Sequence, residues 1–107
     1  MQIVSNDNIY MVGGVQTTND PRDYILLPYC KMIDANLNIT DKAQMKAPRC
    51  SIPLALIRDR WIMAIGGLIG RNKPCTLVAA YDTQLNTWFD CNSLTTARYN
   101  CSAIVMN

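Results

Sequence analysis

Residues 56–67 read Leu-Ile-Arg-Asp-Arg-Trp-Ile-Met-Ala-Ile-Gly-Gly, and residues 3–14 read Ile-Val-Ser-Asn-Asp-Asn-Ile-Tyr-Met-Val-Gly-Gly. The two segments align without a gap at an offset of 53 (56 minus 3). In each, an apolar run, a short polar turn and a second apolar run lead to a pair of glycines. Short apolar runs that end at glycine are typical of β-strands joined by a turn. We therefore expect two copies of one β-rich unit.

Two further segments recur in the same order along the chain. Residues 34–38 (Asp-Ala-Asn-Leu-Asn) match residues 82–86 (Asp-Thr-Gln-Leu-Asn) at an offset of 48 (82 minus 34). Residues 45–49 (Met-Lys-Ala-Pro-Arg) match residues 94–98 (Leu-Thr-Thr-Ala-Arg) at an offset of 49 (94 minus 45). Three matches at nearly one period indicate an internal repeat of about 50 residues, the length of a repeat unit built from several strands.

The apolar pattern predicts strands throughout and little helix, because no segment keeps a 3.6-residue apolar period with helix caps. In the strand at Trp61 to Ile65 both faces are apolar, so we expect this strand to be covered on both sides. The other predicted strands are Ile9 to Val12, Tyr29 to Ile33, Ser51 to Ile57, Leu77 to Tyr81, Thr87 to Cys91 and Cys101 to Met106.

Four short strands within about 50 residues resemble the kelch repeat. The paired glycines end the second strand, Tyr81-Asp82 ends the third, and Asn86-Thr-Trp88 begins the fourth. The resemblance covers nearly the whole chain and is strongest over residues 56–102. It implies an all-β fold of about two four-stranded antiparallel blades, a partial β-propeller. Residues 1–48 would be a degenerate first blade, residues 49–97 the second, and residues 98–107 the first strand of a following blade.

The repeat-motif residues have structural roles in this interpretation. Glycine at a strand end permits a positive φ and close approach of neighbouring backbone, and a large aromatic side chain fills the gap between blades. The first unit has Ile33 and Thr40 where the second has Tyr81 and Trp88. The structural motif consists of Gly13, Gly14, Gly66, Gly67, Tyr81, Asp82 and Trp88.

Composition excludes several classes of function. The net charge is +2, without a run of Lys or Arg that nucleic acid or anionic lipid would require. The longest apolar run, residues 61–70, is too short to span a bilayer. Histidine is absent, which removes Ser-His-Asp and Cys-His catalysis and most catalytic metal sites, so we expect no enzyme activity and no cofactor. Five cysteines without a CxxC pair predict buried thiols in a soluble, cytoplasmic protein.

The resemblance also implies a partner-binding surface on the loops at one end of the blades. These loops are residues 15–22 and 68–74, with the inter-blade connections 46–51 and 95–102. Their basic side chains suit an acidic peptide. Two alternatives stay open: Arg49 and Arg98 bond to their own blade, and residues 71–73 form an ordinary solvated loop. The candidate partner-binding residues are Arg22, Arg49, Arg71, Asn72, Lys73, Arg98, Tyr99 and Asn100.

These expectations together describe a protein–protein interaction module or scaffold, for example the substrate-recognition part of a larger complex. The alternatives are an architectural subunit of a large assembly and, less favoured, part of a propeller-based enzyme. Propellers have about four to eight blades, so two blades need further blades or self-association to cover their faces. The chain is then either a section of a longer propeller or a short protein whose copies assemble, three copies giving six blades.

Overall fold

The computed structural model describes residues 2–20 and 22–93 and the backbone of residues 104–106, and these residues form β-strands and turns without a helix. The predicted all-β class is therefore confirmed. The strands are β1 (Gln2–Ser5), β2 (Asn8–Val12), β3 (Val15–Thr17), β4 (Tyr24–Leu26), β5 (Cys30–Ile33), β6 (Ile39–Asp41), β7 (Leu54–Ile57), β8 (Trp61–Ile65), β9 (Val78–Asp82), β10 (Thr87–Asp90) and β11 (Ile104–Met106).

Two antiparallel four-stranded meanders make up most of the structure. The first sheet has the order β1-β2-β5-β6, and the second has the order β10-β9-β8-β7. A small hairpin, β3–β4, leaves the first sheet between β2 and β5. Strand β11 pairs parallel with β7 at the edge of the second sheet. Because residues 98–103 and 107 lie outside the described residues, a following blade that starts at residue 98 stays a prediction.

The two sheets pack face to face around one apolar core. The first sheet contributes Ile3, Tyr10, Val12 and Cys30, and the second contributes Leu54, Leu56, Ile62, Ala64, Tyr81 and Trp88. The Tyr10 and Tyr81 rings lie 6.0 Å apart across the interface, and the Tyr81 and Trp88 rings lie 5.1 Å apart. The indole Nε1 of Trp88 donates a hydrogen bond to the Ala43 carbonyl oxygen at 2.7 Å. Trp88 therefore joins the fourth strand of the second sheet to the chain that leaves the first.

The strand pairings change the sequence alignment at two places. Asn6 and Asp7 form a two-residue turn between β1 and β2, whereas three residues, 58–60, connect β7 to β8. The gap-free alignment is therefore wrong by one residue in the first strand: Val4, not Ile3, corresponds to Leu56. Likewise Ile39 pairs with Ile33 as Trp88 pairs with Tyr81, so Ile39 replaces Thr40 as the counterpart of Trp88. Turn length sets strand register, and a repeat signal in the sequence does not report turn length directly.

A charged group closes the turn between β9 and β10. The Asp82 carboxylate accepts two hydrogen bonds from the Arg60 guanidinium, Nη2 to Oδ2 at 2.8 Å and Nε to Oδ1 at 3.1 Å. It also accepts backbone N–H bonds from Gln84 and Leu85, at 2.9 and 3.2 Å. The hydrogen bonds from Arg60 above all, and then those backbone bonds, lower the pKa of Asp82 from 3.8 to about 2. The carboxylate form is thus favoured by folding.

We expect the thermal stability of the chain to fall as pH is lowered from 3.8 to about 2, in part because Asp82 takes up a proton there. A lowered pKa in the folded state adds stability above the unfolded-state pKa, and this stability is lost as pH falls through the folded-state pKa. Melting curves of Asp82→Asn between pH 7 and pH 2 should therefore start at a lower Tm and decline less steeply. Arg60→Gln should move the decline to higher pH. A parallel decline in wild type and Asp82→Asn would contradict the assignment.

Candidate functional site

An open cleft lies between the β3–β4 hairpin and the second sheet. The hairpin is held at its base, where Leu27 N donates to the Gly14 carbonyl oxygen at 2.9 Å and Gly14 N donates to that of Arg49 at 3.0 Å. On the opposite wall, Leu68 pairs with Cys50 and with Pro74, which folds residues 68–74 into a tight loop. The cleft measures about 560 Å³ and is lined by Gly14, Val15, Thr17, Asp23, Tyr24, Cys50, Ser51 and Leu68. We call it the rim cleft.

Four of the predicted partner-binding residues lie on two loops that continue from the lining of the rim cleft, one at Asp23 and the other at Leu68. The Arg71 Nη1 donates to the Arg22 carbonyl oxygen at 3.2 Å, so the two loops that carry these residues are in contact. Asn72 has a φ of 53° and follows Arg71 in the turn, which closes with a hydrogen bond from Lys73 N to the Gly70 carbonyl oxygen at 3.2 Å. Arg22, Arg71, Asn72 and Lys73 thus form one polar edge.

Acidic side chains partly balance this edge. The Asp20 carboxylate accepts hydrogen bonds from the backbone N–H of Arg22 at 2.9 Å and from its Nε at 3.3 Å, and both side chains are exposed. These two interactions lower the pKa of Asp20. Arg22 is therefore neutralised locally, whereas Arg71 and Lys73 form no ion pair among the described residues. Net positive charge at the edge comes from Arg71 and Lys73.

Arg49 is not part of this surface, which corrects its assignment to the partner-binding residues. It is only 2% exposed, and its Nη1 donates to the carbonyl oxygens of Gly66 at 2.7 Å and Leu77 at 3.0 Å. Burial lowers the pKa of its guanidinium. This arrangement matches the alternative interpretation from the sequence, in which Arg49 bonds to its own blade. Arg98, Tyr99 and Asn100 lie outside the described residues.

Sequence reasoning missed the apolar part of the site. Val15 on the hairpin is exposed and lines the cleft with Tyr24 and Leu68, whereas Ile25 pairs with Gln16 and points to the opposite face of the hairpin. A signal was present: Val15-Gln-Thr17 and Tyr24-Ile-Leu26 flank a segment with Asn19, Asp20 and Pro21, which is typical of a hairpin with a longer loop. Exposed apolar side chains next to uncompensated cations are the composition expected where a partner binds.

Four of the five cysteines lie in the part of the chain that the structure describes. Cys30, Cys50 and Cys75 are buried and free, while Cys91 is free and exposed, unlike the burial expected of it. Burial raises the pKa of the Cys30 thiol to about 12, so this group stays protonated at neutral pH. Within residues 2–20 and 22–93, no three Cys, Asp or Glu side chains are arranged to hold a metal ion. The described part of the chain also contains no helix long and apolar enough to cross a bilayer.

Comparison with known families found no family model that matches the chain, and comparison with curated proteins found no match.

Proposed function

We propose that the chain is a protein–protein interaction module of the kelch-propeller type that binds a segment of its partner in the rim cleft. The observation that carries this proposal is the cleft itself, which is open and largely apolar, and whose lining residue Leu68 begins the loop that carries the cations Arg71 and Lys73. Affinity would come from apolar groups buried in the cleft, and orientation from the charged edge. The proposal assigns neither catalysis nor a cofactor to the chain.

Three features support the kelch-propeller assignment. Each sheet is a four-stranded antiparallel meander, as a blade requires. Gly13 N and Gly66 N, at matching positions, donate to the carbonyl oxygen of the residue just before the third strand, at 2.8 and 2.7 Å. The two sheets stack face to face, as neighbouring blades do. The free thiols support a cytoplasmic setting, since reducing compartments keep cysteines unpaired.

An acidic peptide with one or two apolar side chains suits the rim cleft. The loops next to it carry three cations, Arg22, Arg71 and Lys73, against two carboxylates, Asp20 and Asp23. Asp20 already pairs with Arg22, so a partner would meet Arg71 and Lys73 together with Asp23, which lines the cleft, a net charge of +1 (two cations minus one carboxylate). Guanidinium groups bind carboxylates through two parallel hydrogen bonds, which gives such a contact direction as well as attraction.

Selection from a displayed random-peptide library on the wild-type chain tests the proposal. We expect the enriched peptides to contain Asp or Glu beside apolar residues. A double variant, Arg71→Glu with Lys73→Glu, should weaken a selected peptide roughly 10- to 100-fold in fluorescence anisotropy, because two attractive contacts become repulsive. Lys46→Glu is the control, since Lys46 is exposed and does not line the rim cleft. Equal affinity for the double variant would overturn the proposal.

A further inference from the structure

Equivalent strand positions of the two repeats point in opposite directions: a position that is buried in the core in one sheet faces outward in the other. Counting back from the paired glycines, Val12 and Ile65 occupy the same position, as do Met11 and Ala64. Val12 is fully buried and Ile65 is half-buried, whereas Ala64 is fully buried and Met11 is half-buried. Successive side chains in a strand point to opposite faces, so the face that the first sheet turns inward is the face that the second sheet turns outward.

The outward face of the first sheet carries a continuous apolar row. Cross-strand pairing places Val4, Ile9, Ile33 and Ile39 side by side, and Val4 and Ile39 are 55% and 64% exposed. We call these four residues the first outer row. In the second sheet the equivalent row is fully buried against the first sheet. It consists of Leu56, Ile62, Tyr81 and Trp88.

The outward face of the second sheet carries a matching row, the second outer row, which consists of Ala55, Met63, Ala80 and Phe89. Phe89 is 46% exposed, Met63 and Ala80 are half-buried, and Ala55 is buried. The equivalent row of the first sheet packs into the core through Ile3, Tyr10 and Met32. Within the described residues, each of these two outer faces, called free faces below, is the counterpart of a face that already has a partner inside the chain.

We propose that a second copy of this chain docks head to tail, its first outer row on the second outer row of its neighbour. The interface would repeat the packing of the two sheets within one chain, so no new kind of complementarity is needed. Both rows are apolar, and covering them removes that surface from water. The rim cleft takes no part in this contact.

The turns at one end of the sheets supply matching charges. Inside the chain, Asp59 accepts hydrogen bonds from Ser5 Oγ and Asn6 N, each at 3.1 Å. Asn6 and Asp7 have φ values of 51° and 65°, and Arg58 and Asp59 have φ values of 52°. By position and conformation, Asp7 is therefore the counterpart of Asp59, and Arg58 that of Asn6. At the interface between copies, the exposed Arg58 of one copy would meet the exposed Asp7 of the next.

This contact is heterologous, since two different faces of the chain meet. Repetition of a heterologous contact produces a ring if the rotation closes and a filament if it does not. Propellers close with about four to eight sheets, which corresponds to rings of about two to four copies with two sheets each. The occupant of each free face in such a ring is another copy of the same chain.

Sedimentation velocity and native mass spectrometry of the intact chain test the proposal. We expect wild type to form closed oligomers of about two to four copies, each of 12.0 kDa. Ile39→Lys and Phe89→Lys each place a charge on one free face and should raise the dissociation constant roughly 100-fold, because the charge would be buried without a partner. Ile25→Lys makes the same change on the β3–β4 hairpin, outside both four-stranded sheets, and should leave the mass unchanged.

Mixing the two face variants tests the head-to-tail geometry. Ile39→Lys keeps the second outer row intact and Phe89→Lys keeps the first, so each variant alone should be monomeric while the mixture forms a one-to-one dimer. A symmetric contact between identical faces would instead let at least one variant dimerise alone, which would overturn the proposal. A wild-type chain that stays at 12.0 kDa at all concentrations, while folded by circular dichroism, would also overturn it.

Discussion

Arg49→Met will lower the free energy of unfolding by about 1–3 kcal/mol, a large part of the stability of a domain of this size. The Nη1 of Arg49 lies within hydrogen-bond distance of three carbonyl oxygens, those of Gly66 (2.7 Å), Leu77 (3.0 Å) and Ala64 (3.5 Å). Methionine has similar length but donates no hydrogen bond. It would leave the Gly66 carbonyl oxygen without this donor, at a cost of about 1–3 kcal/mol, whereas the Leu77 oxygen keeps its hydrogen bond from Gly66 N.

Urea denaturation followed by tryptophan fluorescence measures this loss, since the chain has two tryptophans. Arg49→Lys should lie between wild type and Arg49→Met, because an ammonium group keeps the charge but lacks the planar fork. Lys73→Met is the control: Lys73 is exposed, so we expect a change within about 0.5 kcal/mol. If Arg49→Met unfolds at the same urea concentration as Lys73→Met, the carbonyl contacts of Arg49 contribute nothing measurable.

The position of Arg49 shows why its role could not be predicted from the sequence. The repeated Arg at residues 49 and 98 is equally compatible with a buried residue of the repeat and with a cation on the rim. A long side chain reaches several ångströms from its Cα, and its direction depends on where the carbonyl groups of the next sheet lie. Those groups belong to residues 64–77, far along the chain, so only the folded arrangement selects between the two roles.

Strand positions with a strong local pattern were predictable. Strand β8 has the predicted bounds, Trp61–Ile65, because five apolar residues between a polar turn and two glycines define it. Strand β6 was not predicted, since its three residues are all exposed and only Ile39 is apolar. It forms because β5 offers an unpaired edge, which is a property of the sheet and not of the segment itself.

The candidate site was predictable only in part, for a related reason. The loop at residues 71–73 could be singled out by its charge, and the structure brings Arg71 against Arg22. The rim cleft, however, has walls from the first sheet's hairpin and from residues that open the second sheet, such as Cys50 and Ser51. The cleft exists only because of how the two sheets pack, and no local sequence pattern encodes the distance between the two sheets. The proposed binding site is therefore a property of the stacked pair rather than of either repeat.

Gly13→Ala is expected to destabilise the chain by about 3–5 kcal/mol, the combined effect of backbone strain and a steric clash. Gly13 has a φ of +67°, which costs a residue with a Cβ about 1–2 kcal/mol. An added Cβ would also collide with the Arg49 carbonyl oxygen and lie 2.7 Å from Ile52 Cδ1. The carbonyl belongs to backbone held by the Gly14 N–H bond, so it cannot move aside without breaking that contact.

Gly70→Ala provides the matched control in the same urea experiment. Its added Cβ would lie 3.2 Å from Lys73 Cδ, in a flexible side chain that can move, so we expect a change within about 0.5 kcal/mol. Gly67→Ala should resemble Gly13→Ala, since Gly67 has a φ of +95° and its Cβ would lie 2.8 Å from the Cys50 carbonyl oxygen. If Gly13→Ala were tolerated as well as Gly70→Ala, Gly13 would not lie as close to the Arg49 backbone as the structure places it. A large loss at both Gly13 and Gly67 would show that both glycine pairs let the same segment, residues 49–52, pass within van der Waals contact as it enters the second sheet.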